Sequence, residues 1–484
     1  MATYKTDKNI YDIVIGVEIH AQISSKSKLF SRSSTEFGAE PNSQVSLVDA
    51  ALPGMLPTIN KEAIKQAVKA GIALNSKINR TSIFDRKNYF YADLPQGYQI
   101  SQFSDPLVLG GYIDIVNEDN EAKRINLTRI HVEQDAGKSI HDQSPDQSYI
   151  DLNRSGIALM EIVSEPDLKS AYEVTEFVKK LRNILRYVGS SDADMEKGNL
   201  RCDANISLKL HGSSKLGTRC EIKNLNSLKN IALAIDYEIR TQAEILDNGG
   251  QIRQQTKLFN PNTISTKVMR DKEDAHDYRY FPDPDLLPLV LDEEFIEDAK
   301  NEIGELPDAK KQRYINDFNI SEYDAEVIIA DKNNTNYFEK LLGKCDTKLA
   351  ISWFTAELFG RLNKANLNIQ NCPVEAENLL ELISLIENKT ISGKIAKDVL
   401  DKMFETKQTA KAIVKSEGLE QISDSSEIVK IINEIIANNP EKVADYKNGK
   451  EKLFGFFVGQ TMKASGGKAN PKIVNEILKQ ELTK

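Results

Sequence analysis

The alternation of apolar and polar residues near the N-terminus predicts a β-strand over residues 12–23, "DIVIGVEIHAQI". In an extended strand successive side chains point to opposite faces, so the apolar residues share one face and Glu18, His20 and Gln22 share the other. One face of this strand therefore presents a carboxylate, an imidazole and an amide together.

The same alternation recurs in short runs up to about residue 290, between amphipathic helices predicted at 171–188 and 227–247. Several runs follow one another with no helix between them, which predicts an α+β fold with a mixed, largely antiparallel sheet. The segment 278–291, "YRYFPDPDLLPLVL", contains three prolines, which exclude a continuous helix or a central strand. We place a domain boundary directly after it.

Beyond this boundary the periodicity becomes helical. At 484 residues the chain is long enough for about three domains of about 150 residues each. The pattern predicts an α+β domain at 1–292, a helical domain at 293–405 and a small helical tail domain at 406–484.

Composition narrows the function. The net charge of −9 argues against a protein that coats nucleic acid over its whole surface. From Ile391 onward the chain has 16 lysines and 13 acidic residues, so if a polyanion docks anywhere, this C-terminal quarter is the better place. No apolar run is long enough for a membrane span, and the first residues resemble neither a signal nor a transit peptide, so we expect a cytoplasmic protein without membrane contact. The four cysteines form no C-x-x-C pair, so any metal is expected to be a hard ion on oxygen ligands.

Acidic residues recur on the predicted strands. In "LTRIHVEQD" the residues Arg129, His131, Glu133 and Asp135 share one face, and Glu161 interrupts an otherwise apolar run. Further acidic and basic residues follow at period two in "DMEKGNLRCDANIS". Each carboxylate alone fits a solvated strand face, whereas a set of like charges in one domain calls for a compensating cation, for which Mg²⁺ is suited.

Other motifs carry less information. "DAGKSIH" lacks the first glycine of a phosphate-binding loop, because Val132 stands there, and "HGSSKLG" fits a turn better than a serine nucleophile. The aromatic and basic segment 82–103 suits base stacking and equally suits a structural loop. Lys223 and Asn224 fall at a predicted strand-to-helix turn, which favours an anion.

Long motifs in a fixed order resemble the B-subunit family of glutamyl/aspartyl-tRNA amidotransferases, GatB. The resemblance covers essentially the whole chain, and its motifs are "GVEIHAQI", "DRKNYFYADLPQGYQISQ", "HVEQDAGK", "DLNRSGIALMEIVSEPD", "EKGNLRCDANIS", "EIKNLNSLKNI", "YRYFPDPDLLPL", "GKIAKDVL", "VADYKNGKEK" and "GQTMKASGGKANP".

This resemblance implies a cradle-shaped catalytic domain, a helical domain and a YqeY-like tail that binds tRNA. It also implies a carbon–nitrogen ligase with glutamine as amido donor, which converts misacylated Glu-tRNA(Gln) or Asp-tRNA(Asn) into the amide form. The B subunit is expected to phosphorylate the side-chain carboxylate with ATP, because phosphate is a better leaving group than oxide, and ammonia then displaces the phosphate. Positioning and charge neutralisation suffice for such a phosphoryl transfer, without a covalent nucleophile.

The resemblance also implies residue roles and partners. The expected partners are an amidase-type A subunit that supplies ammonia, a small C subunit completing a heterotrimer, and the misacylated tRNA. The matching motifs assign Mg²⁺ and catalysis to Glu18, His20, Glu133 and Glu161. They assign contacts with ATP phosphate or acyl phosphate to Lys87, Arg154, Arg201, Lys223 and Asn224.

Two departures from the family pattern affect these expectations. Many relatives carry a C-x-x-C pair where this chain has Ser46 and Asp49, so we expect no structural zinc, and Gln134 replaces a common glutamate, so we expect it not to be an essential ligand. Two other functions stay open from the sequence: a noncatalytic tRNA-binding scaffold and a generic Mg²⁺-dependent phosphotransferase. The sequence does not decide between the two tRNA substrates.

Overall fold

The computed structural model describes residues 3–141, 143–271, 278–420, 425–466 and 468–483. Within them the chain divides into two units, Met1–Pro307 and Asp308–Lys484. The first is rich in strands and the second is helical, which confirms the predicted α+β fold.

The first unit contains its strands in this order: β1 Thr3–Lys5, β2 Ile10–Gln22, β3 Lys77–Ile78, β4 Thr81–Ser82, β5 Asp85–Asn88, β6 Tyr98–Ser101, β7 Val108–Leu109, β8 Tyr112–Val116, β9 Ala122–Gln134, β10 Lys138–Ile140, β11 Tyr149–Asp151, β12 Ala158–Ser164, β13 Leu200–Leu210, β14 Cys220–Leu225, β15 Gln255–Asn260, β16 Ser265–Asp271, β17 Phe281–Pro282 and β18 Leu289–Val290. Its helices are α1 Lys61–Ala73, α2 Ala171–Val188, α3 Leu228–Asp247 and α4 Glu293–Asn301.

An 11-stranded sheet forms the centre of this unit, in the order β16-β15-β14-β13-β2-β12-β9-β7-β3, with β1 added to β2 and β8 to β9. Every neighbouring pair is antiparallel except β14 and β15, which are parallel. The predicted character of the sheet, mixed and largely antiparallel, is confirmed.

The helices α2 and α3 determine which face of the sheet stays polar. Ser170 caps the start of α2 and Gly189, in the left-handed region at φ 76°, ends it. The apolar stripes of both helices share one buried core with the apolar face of β2, including Ile15, Ile19 and Phe177. The face of β2 that carries Glu18 and His20 therefore points away from this core.

The first unit extends beyond the predicted boundary at 292. Its proline-rich segment forms the short strands β17 and β18, which pair with β5 and β4. Helix α4 then buries Ala299 in the core of this unit, and Phe295 and Ile296 pack against that core. The prolines interrupt the regular structure here and so predict a boundary. The apolar stripe of α4 nevertheless packs on the core of the first unit, which keeps this helix in the same unit.

The second unit has two separate apolar cores. One includes buried residues from Tyr314 to Val414, and the other includes buried residues from Ile428 to Leu482. Its helices are α5 Pro307–Phe318, α6 Glu322–Ile329, α7 Lys332–Glu339, α8 Thr347–Ser352, a π-helical turn Trp353–Leu358, α9 Phe359–Lys364, a 3₁₀ turn Ile369–Asn371, α10 Ala376–Glu387, α11 Gly393–Thr406, α12 Ala410–Ser416, α13 Ser425–Ala437, α14 Pro440–Lys447, α15 Leu453–Ala464 and α16 Pro471–Thr483.

The second of these cores lies within the region predicted as the tail domain. The boundary predicted at 405 falls at the end of α11, and α12 packs in the first of the two cores. In the described part of the chain, no helix combines the length and the hydropathy needed to cross a bilayer.

Candidate active site

Neighbouring strands bring polar residues into one row across the sheet. Glu161 on β12 lies opposite His20 on β2 and opposite His131 on β9, and Arg201 on β13 lies opposite His20 from the other side. Directly paired residues share a face of the sheet, so this row lies on the face away from α2 and α3. A second pair, Glu18 and Asp203, lies two residues further along β2 and β13.

His20 lies at the centre of the residues that the family resemblance assigns to Mg²⁺. Its Nε2 atom is 3.3 Å from Glu161 Oε2, 3.6 Å from Glu133 Oε1 and 4.0 Å from Glu18 Oε1. The structure thus brings all four residues together, although they come from three strands that are distant in sequence.

His131 lies beneath this group. Its Nε2 atom is 3.3 Å from Glu133 Oε2 and 3.3 Å from Glu161 Oε2, while its buried Nδ1 has no hydrogen-bond partner among the residues that the structure describes. The alternation of β9 placed His131 on the polar face but gave it no role. In the structure it links the two buried carboxylates.

Charge in the row is unevenly compensated. Burial raises the pKa of Glu161, but the charge and hydrogen bonds of His131 and His20 outweigh it and hold that pKa far below its ordinary value. Burial lowers the pKa of His131, but Glu161 and Glu133 raise it to about 9. The pKa of Glu18 is raised to about 7, first by burial and then by the charge of Glu161. Glu18 is therefore the carboxyl group of this site that the imidazoles compensate least.

The donor set fits a hard divalent cation. Two overlapping groups, Glu18 with His20 and Asp203, and His20 with Glu133 and Glu161, have ligand atoms that all lie within 4.8 Å of one another. Carboxylate oxygens are the ligands that Mg²⁺ prefers, and a cation here would neutralise the charge of Glu161, which after burial is the next cause of the raised pKa of Glu18. Asp203, which had no assigned role, joins the set because the register of β13 on β2 places it beside Glu18.

A cavity of about 1200 Å³ lies beside the row and reaches it at His20. Four of the five residues assigned to phosphate line it: Arg154, Arg201, Lys223 and Asn224. Two further lysines, Lys138 and Lys197, also line it, although the motifs that contain them gave them no role. The lining also includes four acidic residues, namely Glu36, Asp151, Glu196 and Asp203. Arg201 is the basic lining residue that the strand register places directly beside His20.

The lining residues differ in how free they are to meet a ligand. Arg201 donates to Asp135 Oδ2 at 2.7 Å, and its side chain stays 38% exposed. Lys223 contacts Asp203 and lies 3.0 Å from Glu221 Oε1, so two acidic residues already neutralise it. Asn224 takes a positive φ of 69° and donates to the Phe259 carbonyl at 2.9 Å, which gives its side chain a structural role.

Arg154 is held by main-chain groups. Its guanidinium donates to the carbonyl oxygens of Ala136, at 3.0 Å, and Gly137, at 2.6 Å, and it lies 3.4 Å from Asp135. The Arg154 side chain is 42% exposed. Arg154 and Arg201 are therefore both placed to bind an anion in the cavity.

Lys87 does not line the cavity in the described structure. Its Nζ lies 5.1 Å from the ring centre of Tyr278 and 5.7 Å from that of Tyr89. Burial lowers the pKa of Lys87, but the charge of Glu133 outweighs it and raises that pKa. Lys87 therefore acts electrostatically on the Glu133 side of the row, where Ser101 also donates to Glu133 Oε2 at 3.0 Å.

The two departures from the family pattern have clear structural positions. Gln134 points away from the row, since its side-chain amide donates to Gln96 Oε1 at 2.6 Å. Asp49 accepts hydrogen bonds from Lys28 Nζ at 3.2 Å and from the Ser46 amide at 2.8 Å. Asp49 is thus one half of a buried ion pair with Lys28, and Ser46 donates a main-chain hydrogen bond to it.

The fold and the row together define an α+β protein with a candidate cation site beside a cavity that Arg154 and Arg201 line. Residues 13–297 match the family model described as the GatB/GatE catalytic domain, and residues 336–482 match the GatB domain.

Full-length relatives give the same result. The chain is 58% identical to the B subunit of the aspartyl/glutamyl-tRNA(Asn/Gln) amidotransferase of Rickettsia felis and 57% identical to that of Rickettsia africae, in each case over all of both chains. It is 56% identical to the corresponding protein of Pelagibacter ubique over 98% of this chain and 97% of the relative. The chain belongs to the GatB/GatE family.

Proposed function

We propose that this chain is the ATP-dependent subunit of an amidotransferase that acts on misacylated tRNA, with Glu-tRNA(Gln) or Asp-tRNA(Asn) as substrate. The observation that carries the proposal is that the acidic row centred on His20 borders a cavity that Arg154 and Arg201 line. The relatives are named as aspartyl/glutamyl-tRNA(Asn/Gln) amidotransferase B subunits, which supports the amidotransferase role and both substrates.

The proposed reaction has two steps. An oxygen of the side-chain carboxylate attacks the γ-phosphorus of ATP, the bond from that phosphorus to the β–γ bridging oxygen breaks, and ADP leaves with the electron pair. Ammonia then attacks the carbonyl carbon, the bond from that carbon to the phosphate oxygen breaks, phosphate leaves, and nitrogen loses a proton to give the amide. The protein needs no covalent nucleophile for either step.

Each group of residues has a distinct task in this proposal. Arg154 and Arg201 bind the nucleotide phosphates by charge-assisted hydrogen bonds. Glu18, His20, Glu133 and Glu161, with Asp203, would hold Mg²⁺, which supplies charge neutralisation for the phosphates when bound. His131 fixes the orientation of Glu133 and Glu161 by contacting both.

The proposed partners follow from the missing ammonia source. The relatives are named as one part of an amidotransferase, which implies other parts, and we propose an amidase-type A subunit that releases ammonia from glutamine and a small C subunit in a heterotrimer. For tRNA we propose the lysine-rich tail as a docking site, because phosphate contacts by lysine give sequence-independent affinity.

The test is tRNA-dependent ADP formation by the assembled complex with glutamine left out. The wild type is expected to form ADP only when misacylated tRNA is present, and Glu18→Gln and Glu133→Gln complexes are expected to lose this activity while still binding tRNA. If the wild type forms no tRNA-dependent ADP, the chain acts as a noncatalytic scaffold. If both variants keep the activity, the acidic row is structural.

A further inference from the structure

Lys28 is fully buried in the first unit, with 0% of its surface exposed. Its Nζ lies 3.2 Å from Asp49 Oδ2 and donates to the main-chain carbonyl of Leu152, also at 3.2 Å. Burying an ion pair has a large desolvation cost, and an apolar pair is often equally stable. Stability alone is therefore a weak reason for this pair to be present.

The Asp49 carboxylate also binds residues other than Lys28. Its Oδ2 atom also accepts from Ser31 Oγ at 3.1 Å and from the Ser46 amide at 2.8 Å. On its other side it packs against Gly156, where a Cβ atom would lie only 2.8 Å from Asp49 Oδ1. Gly156 has a φ of +83°, a conformation that glycine adopts readily. The carboxylate and the glycine backbone are thus fitted to each other.

The segment that Lys28 and Asp49 contact carries Arg154. The Leu29 amide donates to the Gly156 carbonyl at 2.9 Å, and the Ile157 amide donates to the Arg154 carbonyl at 3.1 Å, which closes a turn. The Gly156 amide donates to the carbonyl of Asp135, the residue whose side chain holds Arg201. Lys28 and Asp49 therefore support the main chain from which the Arg154 guanidinium extends.

Residues 42–44 and 152–154 are hydrogen-bonded to each other, and both segments contribute to one wall of the cavity. The Leu152 amide donates to Asn42 Oδ1 at 2.8 Å, and the Gln44 amide donates to Asn153 Oδ1 at 2.8 Å. Gln44, Asn153 and Arg154 line the cavity, whereas Lys28 and Asp49 do not. Any effect of the ion pair on a ligand must pass through this wall.

We propose that Lys28 and Asp49 are positioning residues for the nucleotide: the buried pair fixes the wall that carries Arg154, so that its guanidinium meets the phosphates of ATP. The proposal rests on the proposed function, because it takes ATP as the occupant of the cavity. A binding group that is already held in place loses little conformational entropy when its ligand binds. Loss of the ion pair therefore affects ATP binding more than the chemical step.

The experiment compares Lys28→Met, Asp49→Asn and the double variant Lys28→Met/Asp49→Leu in the assembled complex. Lys257→Met is the matched control, since Lys257 is also buried in an ion pair of this unit, at 2.8 Å from Glu238, and does not line the cavity. The measurements are Tm, the KM for ATP and kcat of tRNA-dependent ADP formation, and the Kd of a non-hydrolysable ATP analogue.

The single variants are expected to raise the KM for ATP and the Kd of the analogue by about tenfold or more, with a smaller change in kcat. The control is expected to lower Tm without changing either constant. The double variant leaves no unpaired charge, so it is expected to fold even where a single variant does not, and to keep the raised constants because Leu152 has lost its donor.

Unchanged ATP constants in the double variant, or in single variants whose Tm falls as in the control, would overturn the proposal. Failure of the proposed function gives a different result: the wild type then forms no tRNA-dependent ADP. In that case the Kd of the analogue still decides whether Lys28 and Asp49 position a nucleotide site.

Discussion

Glu161 and His20 lie directly opposite each other on neighbouring antiparallel strands, with Glu161 Oε2 3.3 Å from His20 Nε2. The same Glu161 oxygen lies 3.3 Å from His131 Nε2 on the other neighbouring strand. One carboxylate therefore joins three strands on the polar face of the sheet, and the proposed cation site depends on this contact.

Replacing Glu161 by Gln should uncouple the row. The amide keeps the volume but removes the charge that both imidazoles face, so we expect a loss of tRNA-dependent ADP formation of at least about 100-fold, with tRNA affinity unchanged. Glu165→Gln is the control, since Glu165 is also on this part of the chain, but in the described contacts its side chain accepts only from Thr128 Oγ1. Equal activities of the two variants would contradict the assignment.

Mg²⁺ binding should depend on pH through Glu18. The raised pKa, about 7, leaves Glu18 mostly protonated at pH 6 and mostly ionised at pH 8, and only the carboxylate binds a cation. We therefore expect Mg²⁺ affinity, measured by calorimetry, to increase from pH 6 to pH 8. Glu18→Gln should bind more weakly and lose most of this pH dependence; a Glu18→Gln profile identical to wild type would assign the titration to another group.

His131 should stabilise the metal-free protein at low pH. Its folded pKa, about 9, is above the unfolded value of 6.5, so its stabilisation is fully present below pH 6.5 and is lost as the pH rises through 9. We expect His131→Asn to lower the free energy of unfolding by on the order of 3 kcal/mol at pH 6, in EDTA, and by much less at pH 10. Chemical denaturation at both values measures this difference, and a pH-independent cost would exclude the imidazolium.

Gly156 should tolerate no side chain. Gly156→Ala combines a positive φ with a contact of 2.8 Å to Asp49 Oδ1, so we expect it to destabilise the protein by more than about 2 kcal/mol. Gly189→Ala is the matched control, because Gly189 also has a positive φ but has open space around a Cβ atom, and it should cost only about 1 kcal/mol. Equal losses in thermal denaturation would show that Asp49 moves away without cost.

The lysines of the tail should contribute to tRNA affinity independently of sequence. Lys463 and Lys472 are exposed, so charge reversal of both should weaken tRNA binding and reduce the slope of log K against log salt by about 1 per lost phosphate contact. Lys364→Glu is the control, because Lys364 is exposed and lies on α9, which packs in the other apolar core of the second unit. A salt slope unchanged in the double variant would place the tRNA contact elsewhere.

Strand periodicity was sufficient to predict the polar face of the site. It placed Glu18 with His20 and His131 with Glu133, because alternation along one strand is a local property of the sequence. The order of the strands is not local: that β2 lies between β12 and β13, and so brings Glu161 and Arg201 to opposite sides of His20, could not be read from the pattern.

The remaining differences have physical causes of the same kind. Lys28 gave no signal, because a lysine in a polar loop predicts exposure, and its burial depends on Asp49 and Leu152 meeting it in three dimensions. The motif assigns Asn224 to phosphate; the structure places it in β14, where the register to β13 shifts, and its positive φ and its bond to the Phe259 carbonyl give it a structural role there as well. The prolines at 282–288 correctly indicated an irregular segment. They did not indicate which of the two units the next helix, α4, packs in.

The most direct test of the central claim follows one oxygen atom. Glu-tRNA(Gln) with both oxygens of its side-chain carboxylate labelled with ¹⁸O is converted by the assembled complex with ATP and glutamine, and the released phosphate is analysed by mass spectrometry. Phosphorylation of the carboxylate predicts one ¹⁸O atom transferred to phosphate for each amide formed. Phosphate without ¹⁸O, at full conversion to Gln-tRNA(Gln), would contradict the account.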